Sequence, residues 1–471
     1  MGGLNIAFNT IQSALEADQE AINTTANNVA NANTPGYTEE TVTWQETAPI
    51  SVDGQQLGTG VAITNVNSQQ SLVLDQAIDQ QQQSLSAATS RESGLTDIED
   101  IFNQVATDSS ASGSGGIGGA LTNFFSALST LESSPAESAS RTGFLSAAQA
   151  LATSFNSAAS QLSAETNSLN LGVTSNVQQI NGLTSSLATL NQEITSAGSG
   201  SNATLVDQQQ EDLNQLSALV GVNQIQTQDG LTLTTTNGTV LVEGSQSFAL
   251  STGPSSTQSG VEAVYSGATD ISSEIQGGTL GGTLSNLYSD IPAVESQINT
   301  LAYSFATSVN SIQEAGADEN GNPTTGVPLF NITPTATGAA AGISVAITDP
   351  SQIAAAGAGD GSADGSNAES MLNLANQSII AGSTPSDYYS GFLAQLGSNV
   401  QSLQTAVSSV TTSLSQLTTQ QATLSGVNQN TEAANLETYE RAYQSASQTF
   451  TILNTLMGSA LNLGVETAMQ S

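Results

Sequence analysis

The residues best placed for chemistry form one short run, Asp318-Glu319-Asn320-Gly321-Asn322. Carboxylate and amide oxygens alternate there as they do at the start of a calcium-binding loop. Such a loop needs a sharp-turn Gly and, at its end, a bidentate Glu. Pro323 and Leu329 occupy those places, so the spacing predicts a solvated turn. Asp97, Glu99 and Asp100 could share acid–base work, but among 40 acidic residues close pairs arise by chance, and a solvated helix face is expected. The glycines of Ser109–Gly119 lack the preceding strand and the Lys of a phosphate-cradling loop. That segment reads as a flexible break. The chain has no Cys and no His, which removes disulfides, thiolate sites, the usual general base and the commonest metal ligand. The expectation is no catalytic residue, no cofactor, no metal and no enzyme.

The cations are three arginines against 40 Asp and Glu, a net charge of −37. Nucleic acid and anionic membranes, which need clustered cations, are poor partners. Charged residues make up only 9% of the chain, so Ser, Thr, Asn and Gln must cover the surface. Glu137 precedes Arg141 by four residues and Glu437 precedes Arg441 likewise, helix pairs worth roughly 0.2–0.5 kcal/mol. Two exposed pairs are expected; the alternative is that such scarce cations sit at packing or subunit contacts. Arg91 has no acidic residue four places before it, and nothing is expected of it. So lopsided a charge fits an acidic habitat, where neutralised carboxylates repel less. A melting temperature rising steadily from about pH 4 to about pH 8 would count against that reading.

These residues must be carried by helices. Leu4, Phe8, Ile11, Leu15, Ile22 and Val29 recur in steps built from three and four, an apolar stripe that must bury one face. Leu436, Tyr439, Tyr443, Phe450, Leu453 and Met457 do the same at the other end. The two ends read as strands of one coiled coil whose interface completes only on assembly, because two helices leave much of a wide stripe wet. Between them, 41–66 alternates like a short hairpin turning at Asp53-Gly54. The stretch 121–162 is helical, with a corner at Ser134-Pro135, and helical spacing continues over 172–195. Gln224–Thr236 and Val240–Gly244 read as two strands about a type I′ turn at Asn237-Gly238. Leu280–Ile312 is helical and bends or restarts at Pro292, and 316–365 is Gly-, Asn- and Pro-rich with short β-like runs such as Ile343–Ile347. Leu396–Leu424 follows heptad spacing with a polar break at Gln421. No run reaches the roughly 20 apolar residues of a membrane span, and no signal-peptide pattern opens the chain.

The stretch Ala26–Tyr37, with Asn27, Asn28, Asn31, Asn33, Thr34, Pro35, Gly36 and Tyr37, resembles the N-terminal signature of the axial flagellar proteins of rod, hook and hook-associated type. Glu432–Leu436 with Asn435, followed by Tyr439–Gln444 with Arg441, resembles their C-terminal signature. Leu121–Leu128, Ser134-Pro135, Arg141, Ala147–Leu151 and Phe155-Asn156 are similar to the hook-associated protein 1 family. That family usually has Arg where Gln209 or Gln210 stands, so an ion pair there is expected to be absent.

The resemblance implies a mainly α fold with a smaller β-rich part. A terminal coiled coil would comprise 1–35 with 428–471. A helical domain would be built from both chain halves, 36–221 with 275–315 and 366–427, and an inserted β-rich domain would hold 222–274 with 316–365. It also implies a structural subunit at the hook–filament junction, exported through the flagellar channel to the extracellular flagellum without a cleaved signal peptide. Its partners would be further copies in a ring, the hook protein, the next hook-associated protein leading to flagellin, and an export chaperone. A hook or distal rod subunit is the alternative, though it should be β-rich between the termini; a secreted adhesin is less in keeping with the sequence.

Overall fold

The computed structural model describes residues 2–34, 36–52, 54–102, 115–197, 203–227 and 230–469, with side chains as far as 459. Pro35, Asp53 and 109–114 of the Gly-rich segment, on which expectations rest, lie outside the described residues.

Helix α1 (Gly2–Asn31) leads through a turn at Gly36, whose φ of +80° favours a residue without Cβ. Strand β1 (Glu40–Glu46) then pairs antiparallel with β4 (Val61–Ser68), from Glu40↔Ser68 to Glu46↔Val61, with a bulge at Thr43/Trp44. A small hairpin, β2 (Ile50–Val52) with β3 (Gln55–Leu57), lies between them. Helix α2 (Leu72–Phe102) is followed by α3 (Gly116–Ser133) and by α4 (Ser138–Ala197), a single helix of 60 residues. Ser134 closes α3 by donating its backbone N–H to Thr130 and Leu131, which makes the expected corner at Ser134-Pro135. Residues 116–119, read as part of a flexible break, are instead the first turn of α3. Gly118 lies so close to Tyr389 that a Cβ would sit 2.8 Å from the ring, and that packing outweighs glycine's weak helix propensity.

Helix α5 (Ala203–Leu219) precedes the meander β5 (Val222–Thr227), β6 (Gly230–Thr235), β7 (Val240–Glu243) and β8 (Gln246–Ser247). Here two expectations fail. The run 224–236 is two strands, with Val222 opposite Thr235 and Thr227 opposite Gly230. The fold-back enters β6 at Gly230, whose φ of +107° turns the chain. The turn at Asn237-Gly238 is not type I′, which requires positive φ at both central residues; Gly238 alone is positive, at +97°.

A second small sheet, β9 (Leu250–Pro254), β10 (Glu262–Ser266) and β11 (Thr269–Asp270), leads into α6 (Gly278–Ser285). A π-helical turn over Asn286–Asp290 joins α6 to α7 (Ile291–Gln313). Pro292 sits in the first turn of α7, where a missing N–H costs least, so the helix restarts as expected. In the Gly-rich region β12 (Gly316–Ala317) pairs with β15 (Ala356–Gly357), and β13 (Phe330–Asn331) with β14 (Ser344–Val345). Of the run Ile343–Ile347, only the residues of β14 are strand. Short helices α8 (Ala339–Gly342) and α9 (Ser366–Leu372) precede α10 (Pro385–Ser425) and α11 (Gln429–Met469).

The chain forms two compact units. The first holds 1–84, 179–249 and 410–471; the second holds 85–178 and 250–409. The second unit is built on Phe124, whose ring centroid lies 5.1 Å from Phe144, 5.2 Å from Phe305 and 6.2 Å from Phe330. Around these, α2, α3, α4 and α7 bury Leu95, Ile98, Leu128, Leu151 and Leu301, and the Gly-rich region adds Leu329, Ile343 and Ile353. Arg141 is wholly buried in this unit. It donates to the carbonyls of Pro135 (2.7 Å), Ile353 (2.7 Å) and Pro350 (3.3 Å). The expected exposed pair with Glu137 is therefore replaced by a packing role, in which the guanidinium bonds the Pro135 carbonyl and adds a second donor to the Pro350 and Ile353 carbonyls, which also accept from the Ile353 and Ala355 N–H groups. Burial pulls the Arg141 guanidinium below its ordinary pKa, with Glu319 and Asp318 opposing. Arg91 forms a two-pronged pair with Asp290, Nε at 2.8 Å and Nη2 at 2.9 Å. Arg441 and Glu437 are the surface pair that the spacing predicts.

Candidate functional site

In the first unit α1 lies against α11. The rings of Phe8 and Phe450 stack at 4.7 Å, and Trp44 of β1 meets Tyr439 edge-on at 5.8 Å. Leu4, Ile11, Leu15, Ile22, Leu436, Leu453 and Met457 are half-buried along the same helices, while Val29 and Tyr443 remain exposed.

The centre of the N-terminal signature is Asn28, 2% exposed and using all its hydrogen-bonding capacity. Its Nδ2 donates to the Glu40 carbonyl at 2.9 Å and to Glu432 Oε2 at 3.0 Å. Its Oδ1 accepts from Tyr37 Oη at 2.7 Å and from the Glu40 N–H at 2.9 Å. One amide therefore fixes the end of α1, the turn, the start of β1 and the first turn of α11. Asn27 donates to Glu40 Oε2 (3.4 Å), Asn31 back to Asn27 Oδ1 (2.8 Å), and Thr34 to Asn31 Oδ1 (3.2 Å), so the Asn-rich run caps its own helix end. Asn435 donates to Glu432 Oε1 at 3.3 Å. Asn33 and Gly36 are exposed, and Arg441 reaches only Glu437.

Beside this knot lies a group of carboxylates that spacing did not single out. Asp79 is 1% exposed; its Oδ2 accepts from Gln224 (2.6 Å) and Gln210 (3.3 Å), and its buried Oδ1 accepts from nothing. Burial pushes the Asp79 carboxyl up to about 6, with the two amides opposing and Asp75 adding to the rise. Asp75 accepts from Gln421 at 2.6 Å, which explains the polar break in the heptads. Asp207 accepts from Thr38 (2.8 Å) and Gln70 (2.9 Å). Burial raises the pKa of Asp75, Asp207 and Glu40, and burial followed by the neighbouring carboxylates raises that of Tyr37.

Other suspected chemistry resolves into local structure. Asp318 turns its carboxylate on its own loop, Oδ1 accepting from the N–H groups of Asn320 and Asn322 (each 2.8 Å) and Oδ2 from Asn322 Nδ2 (3.0 Å). Asp97 and Asp100 are exposed on α2, with Glu99 half-buried. Among the described residues, no group of three or more His, Cys, Asp or Glu could hold a metal, and no helix is long and apolar enough to cross a membrane.

Comparison with known proteins bears on this arrangement directly. The flagella basal body rod protein model matches residues 8–38, which contain the Asn28 knot. The model for the flagellar hook-associated protein FlgK helical domain matches residues 95–330, half of the chain. The chain belongs to the FlgK hook-associated protein family. Flagellar hook-associated protein 1 of Salmonella typhimurium is 26% identical, covering 97% of this chain and 99% of that one. The Bacillus subtilis protein of the same name is 28% identical over 97% and 98%. A solved structure, the flagellar hook junction protein FlgK from Burkholderia pseudomallei, shares the fold with a TM-score of 0.66 at 20% identity. It covers 73% of this chain and 99% of its own.

In this FlgK-family chain the helical match confirms the mainly α fold with a smaller β part. It also explains why three helical blocks, 121–162, 172–195 and 280–312, sit between terminal signatures that rod and hook proteins share. Gln209 donates to Asn191 Oδ1 (2.8 Å) and Gln210 to Asp79, so amides stand where the family resemblance places an arginine and no ion pair forms. The structure adds two residues that the stripes missed. Ile452 and Leu456, four apart on α11, are 60% and 52% exposed. Their signal was a second apolar row beside Leu453 and Met457, hidden because one helix face was already accounted for.

Proposed function

We propose that this chain is a structural subunit of the junction between flagellar hook and filament, polymerising through its terminal helices. The observation carrying this reading is the pairing of α1 with α11. The Asn28–Glu432 bond locks the two ends together, yet Ile452, Leu456, Val29 and Tyr443 stay open to water. Burying such a row against neighbouring subunits supplies the assembly free energy, at roughly 25 cal/mol per Å² of apolar surface. The partners in this reading are further copies in a ring, the hook protein below, the next hook-associated protein above and an export chaperone before assembly. The protein acts outside the cell after passing through the flagellar channel, and its work is mechanical rather than catalytic.

Electron microscopy of flagella from cells lacking the gene, with flagellin assayed in the medium, tests the reading. Complete hooks without filaments and flagellin lost to the medium are expected. Absent or stunted hooks would make the chain a rod or hook subunit, and normal filaments would overturn the axial role.

A further inference from the structure

We propose that the first unit is closed by a proton-dependent latch, in which the buried carboxyl of Asp79, one oxygen of which has no donor, packs α2 on α5 and β5 in its protonated form, and ionisation, which would bury an unpaired charge, loosens that packing. The inference rests on the geometry of this unit and stands apart from the flagellar reading.

The carboxylates of the latch accept from amides and hydroxyls, and Gln83 of α2 adds pH-independent bonds to the Val222 carbonyl (3.1 Å) and Ser217 (3.5 Å). Asp79 on α2 joins Gln210 of α5 and Gln224 of β5, Asp75 on α2 joins Gln421 of α10, and Asp207 on α5 joins Thr38 and Gln70. The charged and titratable groups facing it are of one kind. The loop after α1 brings Tyr37 and Glu39, β1 brings Glu40, α5 brings Glu211 beside Asp207, and α11 brings Glu432; β5 and α10 present only Gln224 and Gln421. No cation offsets them. The chain has no His, and its three cationic side chains are arginines. Arg91 is held by Asp290, Arg141 by backbone carbonyls and Arg441 by Glu437. Asp79 is the least tolerant member, because one of its oxygens is buried with no donor at all. An ionised oxygen in that position carries the full desolvation cost, whereas a neutral carboxyl carries far less. A cavity of about 410 Å³ is lined by Thr38, Asp75, Gln210 and Gln421, and so adjoins Asp75 and the Gln210 partner of Asp79.

The direction follows from linkage. A carboxyl that holds its proton up to about pH 6 when folded, against 3.8 ordinarily, contributes stability that is complete below 3.8 and lost as pH rises through 6. For Asp79 alone the folding equilibrium should be about 25-fold more favourable at about pH 4.5 than at about pH 7.5. This differs from general self-repulsion by a charge of −37, to which any one carboxylate contributes little.

Chemical unfolding of the full chain at those two pH values, at constant ionic strength, tests the latch. The wild type should be more stable at the acid value. Asp79→Asn, a neutral isostere, should lose about 25-fold of that difference, while Glu193→Gln, the same charge change on an exposed residue of α4, should keep it. A wild type equally or less stable in acid overturns the proposal, as does an Asp79→Asn slope equal to that of Glu193→Gln. If Asp79→Asn does not fold, carboxyl carbon NMR of aspartate-labelled wild type decides. A carboxyl titrating near pH 6 supports the latch, and all aspartates titrating below about pH 5 overturn it.

Discussion

Asn28 and Glu432 stand 404 residues apart in the chain, yet Nδ2 of the first donates to Oε2 of the second at 3.0 Å. The bond joins the two terminal signatures, and Glu432, itself 2% exposed, also accepts from Asn435. Asn28→Ala would strip partners from the Tyr37 hydroxyl, the Glu40 N–H and the Glu432 carboxylate together. A loss of about 2–4 kcal/mol is expected in urea unfolding of the full chain. A change below about 0.5 kcal/mol would show that water replaces the amide.

Arg141 should be the most costly cation to remove. Arg141→Met keeps the packing but takes a donor from the carbonyls of Pro135, Pro350 and Ile353, of which the last two keep a backbone N–H, and about 1–3 kcal/mol should be lost. Arg141→Lys, with one ammonium in place of a planar fork, should recover less than half. Full recovery by Lys would mean that charge rather than geometry matters.

The other two arginines should behave as a surface series. Asp290 is 9% exposed and Arg91 41%, so solvent screening leaves a double-mutant coupling of about 1 kcal/mol. The Arg441–Glu437 pair, 75% and 65% exposed, should couple by less than about 0.5 kcal/mol and vanish in 1 M salt. Equal couplings would contradict the burial difference.

Two helical glycines should respond with opposite signs. A Cβ at Gly282 would collide with the Ala87 carbonyl and lie 2.8 Å from Ser90 Cβ, so Gly282→Ala should destabilise by about 1–3 kcal/mol. Gly143, on α4 with nothing within 4 Å, should gain about 0.5–1 kcal/mol as Ala. Thermal melts of the two variants against wild type read the signs.

Ile452→Asp with Leu456→Asp tests the assembly face. Both side chains are mostly exposed, so the monomer should melt within a few degrees of wild type. Motile cells should nevertheless become filamentless while still exporting the subunit. Normal filaments would mean that these two side chains lie outside the polymer contacts.

Local physics was legible throughout the helical parts. The apolar stripes marked the terminal and middle helices, Ser134-Pro135 marked a corner, and Pro292 marked a restart, because three- and four-residue spacing and a missing amide donor act within a few residues. The β-rich stretches were read less well. Whether 224–236 runs straight or folds back depends on which strands pair and which faces they bury, and neither is a local property. The same limit governed the cations. Spacing alone put Arg141 beside Glu137, but three carbonyls, two of them from residues 209 and 212 positions away, drew it inward.

What the sequence determined by itself was the class of molecule: helical, with two terminal stripes, an acidic composition free of Cys and His, and family signatures at both ends. Only the tertiary structure decided what those parts do to one another. It brought Asn28 to Glu432, collected Asp75, Asp79 and Asp207 into one layer without a cation, and left Ile452 and Leu456 uncovered. Each of these outcomes is a long-range pairing. Its free energy depends on which distant groups are buried together, and residue spacing along the chain does not carry that information.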